Sequence, residues 1–303
     1  PDQAEKAYSP KPPSKAKHNL RIYREDAWMT VGSPPRKPKK FIVTKEHKRF
    51  AEFANAVRRE RYIGICYGPA GVGKTLSARR YSQWDKAESL LTGWGPRDPS
   101  DSLIYDALNR SRAVFYTPSV RAGLCEFRKE VLLMIGRVDI CVAQAQPDHT
   151  TSITAKIKRY VELLIIDEAE RLSAITLEYV RDLSDRTGIG LILIGMPGFE
   201  KRLSRYPQLY SRVGFAHHYR PLRSDELAFV LSNHWKKLGL HLDQTDFTDS
   251  QAIASVARIT GGNFRLVQRL FVQINRIMKI NQLTAITDEV VEAARSTLVI
   301  GAT

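Results

Sequence analysis

The stretch Gly68-Pro69-Ala70-Gly71-Val72-Gly73-Lys74-Thr75 decides the fold, because it satisfies the phosphate-loop pattern G-x-x-x-x-G-K-[ST]. An apolar, strand-like run precedes it at 62–67, and a run that can continue as a helix follows at 76–81. Glycines let backbone N–H groups approach an anion closely, and a helix N-terminus favours negative charge. Lys74 adds a positive charge, and the Thr75 hydroxyl can coordinate Mg²⁺. The stretch therefore predicts a nucleoside triphosphate site, whereas a glycine-rich turn that binds nothing would not explain the Lys-Thr pair.

A second motif is Leu163-Leu164-Ile165-Ile166-Asp167-Glu168. Four apolar residues ending in two carboxylates are typical of a buried parallel strand that delivers acids to its carboxyl edge. This is the Walker B pattern, which is weak alone and strong downstream of a phosphate loop. We expect Asp167 to hold Mg²⁺ together with Thr75, and Glu168 to polarise the water that attacks the γ-phosphate.

Hydrophobic periodicity predicts alternating strands and helices in the middle of the chain. The predicted strands after the phosphate loop are 113–117, 163–166, 189–195 and 215–219. The predicted helices are 44–59, capped by Thr44, and 120–137, 152–161 and 175–187. Residues 82–112 contain Gly-Pro and Asp-Pro pairs and are predicted to form a loop with one short helix. The alternation favours a parallel sheet with helices on both faces.

After Pro221 the strand signals largely cease and helical periods take over. The helices predicted there are 224–238, 250–260, 264–280 and 287–298. We therefore divide the chain into a basic, proline-rich extension at 1–40, an α/β nucleotide-binding domain at 41–221 and a small all-helical domain at 222–303.

Composition narrows the class of protein. With 303 residues, of which 43% are hydrophobic, the chain can bury one substantial core and a smaller one. Residues 1–40 hold ten Lys and Arg against four Asp and Glu, and seven of the fifteen prolines, so we expect an extended or disordered segment.

No apolar stretch is long enough to cross a bilayer and the chain opens on charged residues, which favours a cytoplasmic protein. Three widely spaced cysteines without a C-x-x-C pair argue against a disulfide framework and a zinc site.

The formal net charge of +15 indicates a polyanionic partner, with nucleic acid as the first candidate. A basic but merely solvated surface is the plainer alternative, because net charge does not report how charges cluster in space.

In combination these features resemble the AAA+ ATPases and, within them, the transposition regulators of the TniB, TnsC and MuB type, near the initiator clade. The resemblance covers about residues 41–299. Besides the two motifs above, it rests on Ala169-Glu170-Arg171-Leu172, Leu191-Ile192-Leu193-Ile194-Gly195-Met196-Pro197 and Gly261-Gly262-Asn263-Phe264-Arg265-Leu266. It implies an AAA+ P-loop NTPase fold, with a parallel sheet flanked by helices and a small helical lid domain, that binds ATP and Mg²⁺.

The resemblance also implies that an arginine of a neighbouring subunit completes each ATP site. Tyr210-Ser211-Arg212-Val213 resembles that finger, so Arg212 is the expected residue and Arg205 the alternative, unless each is a surface arginine paired with a carboxylate. Arg265 resembles the sensor arginine that reaches the γ-phosphate from the lid. Ile42 and Val43 match in position the segment that often packs on adenine, although such apolar residues are more often simply core.

Two further expectations concern turnover and DNA. Where the family commonly offers a polar residue to orient the attacking water, this chain has Gly195-Met196, which implies slow hydrolysis. Oligomers of such proteins wind around duplex DNA and follow its phosphates with little base readout. The candidate DNA contacts are Arg121, Lys129, Lys156, Lys158 and Arg159, and a solvated helix face explains any single one of them equally well.

The function that these features favour is an ATP-dependent, DNA-binding transposition regulator. It would assemble on target DNA as a homo-oligomeric ring or filament and recruit or activate a transposase, with a target-selection protein as a further partner and no membrane. One alternative is a helicase loader or initiator-like remodeller of the same fold. Another is a nucleotide-gated protein scaffold whose basic tail binds acidic protein.

Overall fold

Five strands form one sheet. The computed structural model describes residues 41–95, 98–120, 123–146, 159–243 and 245–298. The strands in these ranges are β1 (Ile63–Tyr67), β2 (Ala113–Tyr116), β3 (Leu163–Ile166), β4 (Gly190–Gly195) and β5 (Val213–His218). All residues of β2, β3 and β4 are buried, as expected of parallel strands covered on both faces. Strand β5 alternates between half-buried and exposed positions because it lies at an edge of the sheet.

The strands lie in the order β2-β3-β4-β1-β5, and each neighbouring pair is parallel. Parallel strands end at the same edge of the sheet. The loops after β1 and β3 therefore emerge at that edge, separated by the end of β4. Because neighbouring strands are about 4.8 Å apart, these two loops begin about 10 Å from each other. In open parallel sheets, ligands bind at the carboxyl ends of the strands, in the crevice where neighbouring connections leave in opposite directions. In this sheet that place is beside β1.

Helices cover the sheet and continue beyond it. The helices between and beside the strands are α1 (Lys45–Glu60), α2 (Lys74–Tyr81), α3 (Trp84–Thr92), α4 (Ser102–Ser111), α5 (Leu124–Gln144), α6 (Ala174–Thr187), α7 (Phe199–Leu203) and α8 (Pro207–Tyr210). The helices after the last strand, which we call the lid, are α9 (Ser224–Lys237), α10 (Phe247–Thr260), α11 (Phe264–Asn281) and α12 (Asp288–Ser296).

Helix α1 shows how sequence pattern produces packing. Its N-cap residue Thr44 accepts a hydrogen bond from the backbone N–H of His47 at 3.1 Å. Its buried apolar residues, Phe50, Ala54 and Val57, recur at intervals of three and four and so form one face. Gly64 of β1 lets this face approach the sheet closely, because a Cβ at that position would lie 2.5 Å from Val57 Cγ2.

Two hydrophobic clusters are built from different parts of the chain. The larger surrounds the sheet and runs from Phe50 to Tyr219, and the smaller runs from Leu222 to Ala294 and lies among the lid helices. The described residues from 42 to 298 nevertheless form one compact unit. The boundaries of the three predicted domains, 1–40, 41–221 and 222–303, stay a prediction.

The lid contacts the phosphate loop (residues 68–75) directly. The backbone N–H of Arg265, in the first turn of α11, donates to the carbonyl of Gly71 at 2.9 Å. The Asn263 side chain, which caps the same helix, donates from Nδ2 to the Ala70 carbonyl at 2.8 Å. The buried Glu226 of α9 also accepts from the backbone N–H of Glu46 at 3.0 Å. The first two bonds hold the start of α11 against the loop, and the third joins α9 to α1.

Three details of the predicted elements are wrong. Residues 82–112 form two helices, α3 and α4, with a 3₁₀ turn at Pro99–Asp101, rather than a loop with one short helix. The Gly-Pro and Asp-Pro signals belong to a short connection, whereas Trp84, Ala87 and Leu91 form a buried helical face. The helix predicted at 120–137 begins later and ends later, as α5. Residues 159–161 of the helix predicted at 152–161 are not helical, and the rest of it lies outside the described residues.

The predicted fold class is confirmed: a parallel sheet flanked by helices and followed by helices alone. The remaining predicted strands and lid helices agree with the structure within three residues at each end. In the part of the chain that the structure describes, no helix is both long enough and apolar enough to span a lipid bilayer.

Candidate nucleotide site

A cleft of about 540 Å³ lies between the carboxyl edge of the sheet and the start of α11. This volume is within the range of sites that hold small-molecule ligands. Its walls come from the phosphate loop, the ends of β2, β3 and β4, and the first turn of α11. The lining residues are Ala70, Gly71, Gly73, Lys74, Thr75, Leu76, Thr117, Asp167, Glu168, Glu170, Gly195, Met196, Phe264, Arg265 and Gln268.

The phosphate loop has the backbone shape that its glycines permit. Gly71 and Gly73 have φ angles of 79° and 116°, in the left-handed region that favours glycine. A Cβ at Gly68 would lie 2.2 Å from the carbonyl oxygen of Tyr219, so this glycine is required for close packing rather than for its φ angle. The loop then enters α2 at Lys74, with its backbone N–H groups at the start of a helix, the arrangement that attracts phosphate.

Lys74 lies buried at the N-terminus of α2. Its ammonium group donates to the carbonyls of Gly68 at 2.5 Å and Pro69 at 2.8 Å. Burial lowers the pKa of Lys74, and the neighbouring Arg265 acts in the same direction, although Cys66 and acidic groups oppose it. A buried cation at a helix N-terminus is electrostatically unfavourable. An anion in the cleft would stabilise the charged ammonium and could replace the two carbonyls as its partner.

Thr75 and Asp167 join the two sequence motifs. The Thr75 hydroxyl donates to Asp167 Oδ2 at 2.6 Å, across the width of β4. Burial raises the pKa of Asp167, against hydrogen bonds from Thr75 and from the backbone N–H of Glu168 that lower it. A divalent cation would favour the ionised carboxylate, and oxygen donors of this kind suit Mg²⁺. The hydroxyl and the buried carboxylate therefore fit the predicted Mg²⁺ site.

Glu168 lies on the wall of the cleft immediately after Asp167. Its backbone adopts the left-handed conformation, with φ 50° and ψ 42°, which is uncommon for a residue other than glycine. Its carboxylate forms an ion pair with Arg171, three residues along the chain. Glu168 thus lines the same cleft as Lys74, and a cation engages its carboxylate in this conformation.

Arg265 faces the same cleft from the lid. It is exposed, and within the described residues it forms no ion pair. Its Cβ is so close to the phosphate loop that a side chain at Gly71 would contact it at 2.9 Å. Arg265 is therefore placed where a guanidinium could reach a phosphate held by the loop.

Thr117, Glu170 and Gln268 also line the cleft, and the sequence reasoning missed all three. Thr117 directly follows β2, which pairs with β3, so the strand order would have brought it beside Asp167. Gln268 is three residues after Arg265 on α11 and therefore shares its helix face. Glu170 is in the turn after Glu168, and no sequence signal separates it from an ordinary surface carboxylate.

Arg212, the predicted finger, lies immediately before β5, at the edge of the sheet where the strands begin. The six residues of β5 separate it by about 20 Å from the carboxyl edge that carries the cleft. Its side chain is 54% exposed and donates to Asp185 at 3.2 Å. Arg212 therefore cannot contact a ligand in the cleft of its own chain. Arg205, the alternative, is exposed between α7 and α8.

The other predicted contacts do not line the cleft. Ile42 packs against the hydrophobic cluster of the lid, and Val43 is exposed. Lys129 is exposed on α5. Arg159 is exposed beside Arg61 and Arg112 in a pocket of about 330 Å³ at the edge where strands begin. The predicted DNA contacts Arg121, Lys156 and Lys158 lie outside the described residues.

Comparisons with known proteins agree with this geometry. A family model described as an AAA domain matches residues 57–203, which include the phosphate loop and the Asp-Glu strand. A "Potential ATP-binding protein" of Staphylococcus aureus is 45% identical over 269 residues, covering 88% of this chain and 98% of that protein.

Two more distant relatives carry more specific names. The "Mu-like prophage FluMu DNA transposition protein B" of Haemophilus influenzae is 27% identical, covering 77% of this chain and 70% of that protein. The "ATP-dependent target DNA activator B" of Escherichia phage Mu is 27% identical over 58% of this chain, which spans half of that protein's length.

Among solved structures, the Thermotoga maritima RuvB Holliday junction branch migration motor superposes with a TM-score of 0.51 at 15% identity. The match covers 87% of this chain and 72% of that one, and it supports the fold alone. The AAA domain match, the relatives and the cleft confirm the resemblance noted in the sequence: the chain belongs to the AAA+ ATPases, in the TniB, TnsC and MuB-like family of transposition regulators.

Proposed function

We propose that this ATPase is a regulator of DNA transposition that binds target duplex DNA as an ATP-dependent oligomer and recruits or activates a transposase. Slow hydrolysis of ATP would limit the lifetime of the assembly. A target-selection protein would choose where it forms. The observation that carries the proposal is the hydrogen bond between Thr75 and Asp167 beside Lys74. It lies in a cleft that Arg265 of the lid lines on the opposite side.

We assign the predicted residues of the cleft roles that follow from their places. The phosphate loop and Lys74 would bind the β- and γ-phosphates, with backbone N–H groups supplying most of the hydrogen bonds. Thr75 and Asp167 would hold Mg²⁺, which when bound neutralises phosphate charge. Glu168 would accept a hydrogen bond from the attacking water and orient it. Arg265 would contact the γ-phosphate, so that the position of the lid depends on whether this phosphate is present.

The position of Arg212 supports action between subunits. Because it lies at the opposite edge of the sheet from its own cleft, it could reach a nucleotide only in a neighbouring copy. Its ion pair with Asp185 is partly exposed, and surface pairs of this kind typically stabilise a protein by at most about 1 kcal/mol. Exchange of this partner for a neighbour's phosphate would therefore cost little.

Slow hydrolysis is supported by Met196. This side chain lines the cleft after β4, where the family commonly has a polar residue that orients water. A thioether is a poor hydrogen-bond acceptor, so the attacking water would have one orienting partner fewer. An oligomer that must persist on DNA until a transposase arrives benefits from slow turnover.

The DNA-binding part of the proposal is supported by the net charge of +15 and by the names of two relatives, a transposition protein and a target DNA activator. We propose that Arg121, Lys129, Lys156, Lys158 and Arg159 contribute contacts to the DNA backbone. Such contacts give affinity that falls steeply with salt and depends little on base sequence.

The test is a titration of fluorescent duplex DNA with protein, with no nucleotide, with ADP and with a non-hydrolysable ATP analogue. The analogue should raise the affinity at least tenfold at moderate salt, and the gain should be equal on two unrelated sequences. Lys74→Ala should abolish the gain, whereas the control Lys86→Ala, an exposed lysine on α3, should keep it. Electron microscopy of the analogue-bound complex should show rings or filaments around the DNA.

Equal DNA affinity in all three nucleotide states would refute the proposal. ATP binding without any DNA binding would select the scaffold alternative instead.

A further inference from the structure

The end of β4 supplies no polar side chain to the cleft. Strand β4 lies between β1, which leads into the phosphate loop, and β3, which leads into Asp167 and Glu168. Its last residue is Gly195 and the next is Met196, so the side chains there are a hydrogen atom and a thioether. The Met196 carbonyl already accepts the backbone N–H of Phe199 at 3.1 Å. The central part of the wall formed by the strand ends therefore has no side chain that could hold a water.

Hydrolysis needs a water that is held in one orientation. The water oxygen forms a bond to the γ-phosphorus while the bond from that phosphorus to the bridging oxygen of ADP breaks, and the proton of the water ends on the released phosphate. Positioning supplies most of the catalysis in such transfers. Glu168 offers one acceptor, but a single hydrogen bond leaves the water free to rotate about it. A second partner has to come from another wall of the cleft.

Gln268 of α11 lies on the opposite wall. At about 100° per residue, Gln268 lies between Phe264 and Arg265 around the helix, about 40° from the first and about 60° from the second. Both of these residues also line the cleft, so Gln268 is at the centre of the helix face that borders it. It is half-buried and forms no hydrogen bond with any other described residue. Its carboxamide can therefore donate one hydrogen bond and accept another from a ligand or a water.

The place of Gln268 is fixed by the packing of α11. Val267 and Leu270, on the other face of the helix, are fully buried in the hydrophobic cluster of the lid and set its rotation. The bond from the backbone N–H of Arg265 to the Gly71 carbonyl sets the distance of the helix from the phosphate loop. Residues three apart on a helix have Cβ atoms about 5–6 Å from each other. Gln268 is thus within one helical turn of the residue that touches the loop.

Thr117 is the other uncharged polar side chain of the cleft that has no hydrogen bond to a described residue. It follows β2, and two strands, β3 and β4, separate β2 from β1. At about 4.8 Å per strand, Thr117 is about 14 Å from the strand that leads into the phosphate loop. Its side chain is also two bonds shorter than that of glutamine. The geometry therefore favours Gln268 over Thr117 as the group that reaches a water beside a loop-bound phosphate.

We propose that Gln268 is a catalytic residue that orients the attacking water together with Glu168, in place of a side chain at the end of β4. Its carbonyl oxygen would accept from the water, and its amide would donate to an oxygen of the γ-phosphate. Because Gln268 and Arg265 share one helix face, the chemistry then depends on the position of the lid, which agrees with slow turnover. The inference rests on the proposed role of Glu168 in hydrolysis and requires neither DNA nor a transposase.

The experiment compares steady-state ATP hydrolysis by the wild type and Gln268→Met, without DNA. Methionine has nearly the length and helix propensity of glutamine, but its thioether is a poor hydrogen-bond partner. We expect kcat to fall about tenfold, as for the loss of one hydrogen bond in the transition state. KM and the affinity for a non-hydrolysable ATP analogue should stay within twofold. Gln268→Ala should show the same loss, and it serves if Gln268→Met does not fold.

A second readout does not depend on turnover. ADP with Mg²⁺ and aluminium fluoride imitates the γ-phosphate during its transfer, and enzymes bind such mimics through the interactions that they make with the transition state. Gln268→Met should bind fluorescent ADP with aluminium fluoride about tenfold more weakly than the wild type does. It should bind the same ADP equally well when aluminium fluoride is omitted.

Met196→Asn tests whether Gln268 acts in place of a residue after β4. The added carboxamide should raise kcat, because it gives the water a further partner. In that background Gln268→Met should lower kcat only about threefold, since the two carboxamides then share one water. Such a mutual dependence is what a double-mutant cycle detects between groups with a common partner.

Gln273 provides a matched control on the same helix. It is half-buried like Gln268, but it lies about 140° away around α11 and does not line the cleft. Gln273→Met should change neither kcat nor the affinity for the aluminium fluoride complex.

A Gln268→Met variant that folds, hydrolyses ATP and binds the aluminium fluoride complex as the wild type does would overturn the inference. So would a loss of analogue affinity as large as the loss in kcat, which would show a role in binding alone. An equal loss with and without Met196→Asn would overturn the substitution of Gln268 for a residue after β4. A wild type that binds no analogue would instead refute the proposed nucleotide site. A wild type that hydrolyses ATP but ignores DNA would refute the proposed regulator and leave the role of Gln268 intact.

Discussion

The attachment of the lid to the phosphate loop gives the sharpest test of the geometry, through Asn263. Its Oδ1 accepts from the backbone N–H groups of Arg265 and Leu266 and so caps α11, while its Nδ2 donates to the Ala70 carbonyl at 2.8 Å. Asn263→Ala removes both functions. Loss of an N-cap costs about 1 kcal/mol, and loss of one further hydrogen bond costs about 1 kcal/mol. We therefore expect unfolding free energy to fall by about 2 kcal/mol.

Thr287→Ala is the matched control, because Thr287 caps α12 through Val290 and does not line the cleft. It should cost only about 1 kcal/mol, the value of a cap alone. Asn263→Asp keeps the oxygen that caps α11 but loses the donor to Ala70, so it isolates the link to the loop. Its stability should lie between those of the wild type and Asn263→Ala.

The assay is urea unfolding followed by circular dichroism, together with the Kd for a non-hydrolysable ATP analogue. Because the link positions Arg265, both Asn263 variants should bind the analogue about fivefold more weakly, equivalent to about 1 kcal/mol. Thr287→Ala should bind it as the wild type does. If Asn263→Ala were no less stable than Thr287→Ala and bound nucleotide normally, the lid would not be held in the way described.

Three further outcomes follow from other parts of the molecule. Arg212→Glu should leave the melting temperature within about 2 °C of the wild type but abolish the rise in hydrolysis per subunit with protein concentration; a normal rise would exclude this arginine as the finger. Glu46 is buried and, although burial alone would raise its pKa, the adjacent His217 and hydrogen bonds from Arg49 and the backbone N–H of Arg220 lower it below the ordinary 4.5. A lowered pKa stabilises the fold above pH 4.5 and loses that contribution as the pH falls through the folded value, so the stability gap between the wild type and Glu46→Gln should narrow in acid; a gap independent of pH from 7 to 3 would contradict this. In native protein a thiol reagent should modify the exposed Cys125 quickly and the buried Cys66 and Cys141 slowly, since burial also raises the pKa of Cys66; rapid modification of all three would show that the core is open.

The motifs expected to contact phosphate and metal could be read from the sequence because their chemistry is local. The residues 68–75 carry their own backbone requirements, and four apolar residues before Asp167 already imply a buried strand. That Thr75 and Asp167 meet follows once both strands are placed in one parallel sheet, because such strands end at the same edge.

The features of the site that could not be predicted from the sequence depend on contacts between distant parts of the chain. The bond from Arg265 to Gly71 depends on how the lid folds back, and no local pattern encodes that geometry. Thr117 becomes part of the cleft only through the position of β2 next to β3. The spacing of Glu168 and Arg171 is visible in the sequence, but their contact depends on a 3₁₀ turn that Arg202 clamps from another helix.

Helices α3 and α4 show how turn-forming glycines and prolines can mislead a prediction from sequence. The glycines and prolines at 93–99 suggested that 82–112 is a loop with one short helix. Helix α3, which carries the buried face of Trp84, Ala87 and Leu91, is only nine residues long, too short for its period to outweigh those signals. Packing against the sheet, and not intrinsic preference, stabilises such short helices.

The central claim is that Lys74, Thr75 and Asp167 form one site for a magnesium–nucleotide complex. Isothermal titration calorimetry of the wild type with Mg²⁺ and a non-hydrolysable ATP analogue tests it most directly, with Lys74→Ala and Asp167→Asn titrated in parallel. The account predicts saturable, one-to-one binding by the wild type, a loss of at least tenfold in affinity for Lys74→Ala, and a loss for Asp167→Asn that disappears when Mg²⁺ is omitted from all titrations. The absence of binding by the wild type, or equal affinity in all three proteins, would contradict it.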